Sequence, residues 1–187
     1  AIEGYHPSNN RSQLKKTARN TLVIDAYNAN PTSMRASIEN FAQLELPAKV
    51  LMLGDMLELG VCTQAEHYRV GRIAAEKADI VLAYGPNSGR IINGALTGGM
   101  PDNRAIAFED RDQLAATLKR LAKPGDVMLF KGSHGMHMEL ALEAFLKESG
   151  VKEPEAVHIA QAESLLYARS PSARAEFPGG LIVSREY

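Results

Sequence analysis

Five short apolar runs recur along the chain: Leu22-Val-Ile24, Val50-Leu-Met-Leu53, Ile80-Val-Leu-Ala83, Ala105-Ile-Ala-Phe108 and Val127-Met-Leu-Phe130. Each is apolar on both alternating faces, which suits a strand covered on two sides rather than one half-exposed to water. Stretches of helical spacing follow them. Residues 32–45 place Met34, Ile38 and Phe41 on one face, with Asn30 or a nearby hydroxyl as cap, Pro31 opening the helix and Pro47 ending it. Residues 63–78 align His67, Val70 and Ala74, and Thr63 with Glu66 three residues on reads as a capping box. Gly85-Pro-Asn-Ser-Gly89 reads as a turn and cap for a short helix over 88–96, stopped by Gly98-Gly99. Asp110 caps a helix through Leu114, Leu118 and Leu121, and a last helix over 136–149 stacks Met138, Leu142, Phe145 and Leu146.

Strand and helix in alternation predict an α/β fold, a Rossmann-like, mostly parallel sheet with flanking helices joined by right-handed crossovers. The basic lead-in, residues 1–20, is read as extended with one edge strand. The α/β unit fills residues 1–150. From about residue 150 the pattern dissolves, and 151–187 form a tail of unassigned structure, in which 157–168 can be a helix and Leu181-Ile-Val183 a short strand.

Hydrophobic residues make up 45% of the 187, enough for one core. A net charge of -1 leaves no global field to draw the chain to nucleic acid or an anionic membrane. No apolar run approaches the roughly 20 residues of a membrane span. No signal peptide is evident, and the lone Cys62 excludes an internal disulfide and fits a reducing cytoplasm. The chain opens on Ala1, as a domain cut from a longer protein would.

Three strand ends carry polar clusters: Asp25-Ala-Tyr27-Asn28-Ala-Asn30, Gly54-Asp55 with Glu58, and Lys131-Gly-Ser133. In a parallel sheet these ends share one edge, where ligands of open α/β sheets bind. Asp25 and Asp55 taken singly suit a turn or cap equally well, and Lys131 a solvated surface; three clusters on one edge favour a cleft. An aspartate there can accept both hydroxyls of a ribose, each charge-assisted bond contributing about 1.5–3 kcal/mol. Lys131 suits a phosphate or carboxylate. The chain has neither a G-x-x-x-x-G-K-[ST] loop nor a G-x-G-x-x-G after a strand, so a triphosphate cradle and a small nicotinamide oxidoreductase both lack support. His134, His137 and Glu139 are poorly spaced for a metal, His67 reads as a core histidine, and Cys62 has no histidine in its loop to activate it.

These motifs resemble the C-terminal domain of the Mur ligase family. Asp25-Ala-Tyr-Asn-Ala-Asn-Pro-Thr-Ser-Met34 is similar to that family's D-x-Y-N-A-N-P-x-S-M stretch, in the branch that adds D-alanyl-D-alanine to UDP-N-acetylmuramoyl-tripeptide. Leu53-Gly-Asp-Met-Leu-Glu-Leu-Gly60 with His67 and Val70-Gly71, Gly125-Asp126 through Lys131-Gly-Ser133, and Arg11 before the first strand resemble further family segments, over about residues 5–147. The resemblance implies the third domain of a cytoplasmic peptidoglycan ligase, closing over N-terminal and central domains that hold UDP-MurNAc-tripeptide and ATP. It implies nucleotide contacts from Arg11, Asp25, Tyr27 and Asn30, with Asp25 on the ribose. Substrate contacts would come from Asn28, Lys131 and Ser133, and more weakly from Asp55 and Glu58. ATP and Mg would be bound mainly by the central domain. The tripeptide carboxylate would be phosphorylated and the amine of D-Ala-D-Ala would attack the acyl phosphate, so this chain alone would make no amide bond. The alternative is a free-standing, non-catalytic nucleotide- or peptide-binding module.

Overall fold

A computed structural model describes residues 13–16, 19–44, 48–148, 174–177 and 181–184 of the chain. The five apolar runs form strands Thr21–Asp25 (β2), Lys49–Gly54 (β3), Ile80–Tyr84 (β4), Ala105–Phe108 (β5) and Val127–Lys131 (β6). They pair in parallel in the order β5-β4-β3-β6-β2. Gln13–Lys16 (β1) runs antiparallel to β2, and Leu181–Ser184 (β8) and Arg174–Phe177 (β7) continue the same sheet beyond it. The short strand expected at 181–183 is therefore present. β1 is not an edge strand, because β8 pairs with its free side. β7 was not foreseen, and the helix expected over 157–168 lies outside the described residues.

The helices are Pro31–Ala42 (α1), Thr63–Lys77 (α2), Ser88–Thr97 (α3), Arg111–Leu121 (α4) and Met138–Glu148 (α5). Met34, Ile38 and Phe41 of α1 join Val70 and Ala74 of α2 and Ile91, Ile92 and Ala95 of α3 in one core against Leu51, Leu53, Val81 and Leu129. Leu114 and Leu118 of α4 and Met138, Leu142 and Phe145 of α5 form the other, against Leu22, Ile24, Met52 and Phe130. Three helices cover one face and two the other. β6 feeds α5 on the second face, while its neighbours β2 and β3 feed α1 and α2 on the first. Their loops diverge at the carboxyl end of β6 and open a crevice there.

Local chemistry sets the boundaries. Asn30 caps α1 by accepting from the Ser33 amide at 2.8 Å, while its own N–H donates to Ser33 Oγ. α1 stops at Ala42, earlier than Pro47 requires, because the Gln43 and Leu44 amides tighten onto Asn40 and Phe41. Thr63 does not cap α2. A 3-10 turn over Gly60–Cys62 runs straight into the helix, Thr63 is already helical, and its hydroxyl donates to Gly60 O. Glu66 pairs with Arg69 instead of closing a capping box. Asp110 caps α4 through the Gln113 amide as expected.

α2 and α3 touch backbone to backbone at Gly71 and Gly94. A Cβ at Gly71 would lie 1.8 Å from Ile91 O, and one at Gly94 2.1 Å from Tyr68 O. A Gly71→Ala substitution is expected to lower stability by about 1–3 kcal/mol, as overpacking of a closed contact does. A denaturant titration showing an unchanged midpoint would contradict this packing.

Candidate functional site

The crevice is built by parallel register. β2 and β6 pair so that Asp25 lies opposite Lys131. Both side chains project to the α1 face, as Val23 and Leu129 do on the same strands. Lys131 Nζ donates to Asp25 Oδ2 at 2.8 Å and to Asn28 O at 3.0 Å. The lysine is 1% exposed and the aspartate 17%. Lys131, expected to face a substrate, is thus turned inward as a buried counter-ion. Ser37 of α1 adds a 2.6 Å bond to the same Oδ2. No described group bonds Asp25 Oδ1, so one carboxylate oxygen stays open at the crevice.

Ser133 is also turned inward. Its hydroxyl donates to Ala29 O at 3.3 Å and accepts from the Leu57 amide at 3.0 Å, while its own amide donates to Asp55 O. One buried side chain therefore laces the loops that follow β2, β3 and β6. Gly132 makes this possible: a Cβ there would lie 2.8 Å from Met138 and 3.1 Å from the Gly54 Cα.

Asp55 is buried, and its carboxylate is taken by Asn87, through the amide at 3.0 and 3.2 Å and the side-chain Nδ2 at 2.7 Å. Asn87 is hence no side-chain cap for α3; it fastens the β4–α3 turn to the end of β3. Gly85, at φ +121°, supplies that turn, and a Cβ there would stand 2.9 Å from the Asp55 carboxylate. His67 is fully buried, with Nε2 accepting from the Met56 amide and lying 3.8 Å from Asp55 Oδ1.

At the surface of the crevice stand Tyr27, Asn28, Asn30, Glu58, His134 and His137, all exposed. The Tyr27 and His134 rings lie 6.1 Å apart and those of His134 and His137 5.9 Å apart. His137 Nδ1 is 3.0 Å from Glu139. Among the described residues, no group of three or more His, Cys, Asp or Glu side chains could hold a metal ion. Arg11 lies outside the described residues. Beside the crevice, a groove of about 310 Å³ runs between α1 and α2, lined by Pro31, Thr32, Arg35, Glu66, Arg69, Val70 and Ile73. The Glu39 carboxylate, hydrogen-bonded to Arg35, holds that guanidinium above its ordinary pKa. Tyr68, half-buried where α2 meets α3, is lowered by hydrogen bonds from Thr97 and Arg72.

Sequence reasoning placed Asp25, Lys131 and Ser133 on one edge but missed that they bond inward. It also missed Ser37 and Asn87. Ser37 sits four residues after the capping Ser33, beside the buried stripe of α1, which is the one signal that pointed at Asp25. Asn87 gave none, since an asparagine in a glycine-proline turn is explained by the turn alone.

The chain's residues 10–134 match the family model of the Mur ligase, glutamate ligase domain. Its relatives include UDP-N-acetylmuramoyl-tripeptide–D-alanyl-D-alanine ligases. That of Bacillus subtilis is 40% identical over 141 residues, 74% of this chain and 31% of the relative; that of Treponema pallidum is 38% identical over 129 residues, 68% and 28%. Among solved structures it is similar to the MurF ligase of Thermotoga maritima in complex with ADP, with TM-score 0.67 and 27% identity over 80% of this chain and 33% of that one. It is also similar to MurF of Acinetobacter baumannii, with TM-score 0.69 and 30% identity over 78% and 32%. The chain spans about a third of the length of these relatives. The crevice at β2, β3 and β6 falls within the matched stretch, and the chain belongs to the Mur ligase family, of which it carries the glutamate ligase domain.

Proposed function

We propose that this chain is the closing domain of a cytoplasmic, ATP-dependent amide ligase that adds D-alanyl-D-alanine to UDP-N-acetylmuramoyl-tripeptide in peptidoglycan synthesis. N-terminal and central domains of the same protein would supply the remaining sites. The observation that carries this reading is the Asp25–Lys131–Ser37 cluster. It fixes a carboxylate at a sheet-edge crevice with Oδ1 bonded by no described group, inside the stretch shared with the ligases.

The residues fit part of a nucleotide. Asp25 Oδ1 suits a ribose hydroxyl, and Tyr27 and Asn30 border it on the elbow before α1. Nothing described here suits a triphosphate or a magnesium ion: the chain lacks a G-x-x-x-x-G-K-[ST] loop, and its described residues gather no metal-binding carboxylates. In this reading phosphates and Mg are held mainly by the central domain. When bound, ATP supplies the phosphoryl group that activates the tripeptide carboxylate. This chain's residues orient the ribose and the amine-bearing substrate, and by closing exclude water from the activated acyl group. Among the described residues no helix is long and apolar enough to cross a membrane.

The reading is tested by phosphate release with ATP, Mg, UDP-MurNAc-tripeptide and D-Ala-D-Ala. The chain alone is expected to be silent and the chain joined to its upstream domains active. Asp25→Asn in the joined form should lower kcat/KM for ATP about tenfold to a hundredfold, the loss of a charge-assisted bond of about 1.5–3 kcal/mol. Release by this chain alone would overturn the reading. Silence of the joined, folded form would favour the free-standing binding module. Stability separates from function at the same residue. Asp25→Ala leaves Lys131 buried without a counter-charge and should cost about 3–5 kcal/mol, whereas Asp25→Asn keeps an oxygen for Lys131 and Ser37 and should cost less. A denaturation midpoint for Asp25→Ala equal to that of the wild type would contradict the buried ion pair.

A further inference from the structure

One serine beside the crevice has a hydroxyl that its own helix does not use. Ser37 lies inside α1, where serine is a poorer helix former than alanine. A serine within a helix commonly turns its hydroxyl to solvent or back to the carbonyl four residues before it. Ser37 is half-buried, and its Oγ instead donates to Asp25 Oδ2 at 2.6 Å, at the end of β2. The helix aims it there. The Asn30–Ser33 capping box fixes where α1 starts, and buried Met34, Ile38 and Phe41 fix its rotation. Three residues past Met34 and one before Ile38, Ser37 stands at the margin of that buried stripe.

The two donors to Asp25 Oδ2 come from different elements. Lys131 Nζ reaches it at 2.8 Å from β6 and is itself held by Asn28 O at 3.0 Å. An ammonium is a compact charge with rotatable donors, so it does not choose between the two oxygens of a carboxylate. Lys131 alone would be satisfied by either oxygen, or by a place between them. A directional hydrogen bond does choose, and Ser37 engages Oδ2 from the α1 side. Asp25 is 17% exposed, and Oδ1, bonded by no described group, is the oxygen left for a ligand.

We infer that Ser37 is a positioning residue for the nucleotide: by holding Oδ2 it fixes the carboxylate plane of Asp25, so that Oδ1 meets a ribose hydroxyl without first rotating. This rests on the ligase reading, in which Asp25 accepts from the ribose. An acceptor oriented before binding strengthens binding, and one that is free to turn weakens it. Because Ser37 acts through Asp25, its loss is felt in KM for ATP and leaves turnover unchanged.

The test uses this chain joined to its upstream domains and compares ATP with 2′,3′-dideoxy-ATP, which offers no ribose hydroxyl. Ser37→Ala should raise KM for ATP about fivefold, the loss of one hydrogen bond's worth of orientation, with kcat changed less than about twofold. The same variant should leave KM for the dideoxy nucleotide within about twofold of the wild-type value for that nucleotide. Ser37→Thr keeps a hydroxyl at the same helix position and should bring KM for ATP back to near wild type. An equal rise in KM for both nucleotides would show a general support of the crevice and overturn this inference. An unchanged KM for ATP in Ser37→Ala would overturn it too. In either case a wild-type preference for ATP over the dideoxy nucleotide would leave the ligase reading standing. A wild-type joined protein that makes no product would overturn both.

Discussion

β6 lies between β2 and β3, and the crevice depends on that placement. Every residue of β6 is buried, including Lys131 at its carboxyl end. A buried ammonium is tolerated only with a counter-charge and hydrogen bonds. The register that sets Asp25 beside Lys131 provides the first, and the Asn28 carbonyl on the following elbow provides a second bond. The same strand end delivers Ser133, whose hydroxyl and amide reach the other two loops. Sheet order, ion pair and loop positions are therefore one constraint. A shift of β6 by one residue would move Lys131 to the opposite face and release all three loops.

Much of this was legible in the sequence. Uniformly apolar runs of three or four residues marked the five parallel strands, and the spacing of Met34, Ile38 and Phe41 marked the buried face of α1. Asn30 and Asp110 could be read as caps because capping is local chemistry. Thr63 misled for the same reason in reverse: its context is set by the turn before it, which Gly60 permits through a positive φ and which no helix-start rule weighs. The edge shared by Asp25, Asp55 and Lys131 followed from topology alone.

What was not legible depends on pairing between distant segments. Lys131 looked like a group for a ligand because its exposure follows from strand order, and no local pattern reports that β6 lies between β3 and β2. Asn87 reaches Asp55 across 32 positions, and Ser133 reaches Ala29 across 104. β7 escaped because Arg174-Ala-Glu-Phe177 carries no apolar run, whereas β8 showed one and only its pairing with β1, more than 150 positions upstream, was not legible. Inward bonding also divides the candidate residues by what their side chains bond. Lys131, Ser133 and Asp55 shape the crevice, while Asp25, Tyr27, Asn28, Asn30 and Glu58 are left to face it.

Under the proposed function this edge, and no other surface of the domain, meets the substrates. Backbone hydrogen exchange on the joined protein, with and without a non-hydrolysable ATP analogue and UDP-MurNAc-tripeptide, tests that directly. It predicts new protection at residues 25–30, 55–60 and 131–137, with no change at the opposite edge around Pro124-Gly125. Protection confined to the upstream domains, or appearing at that opposite edge, would contradict it.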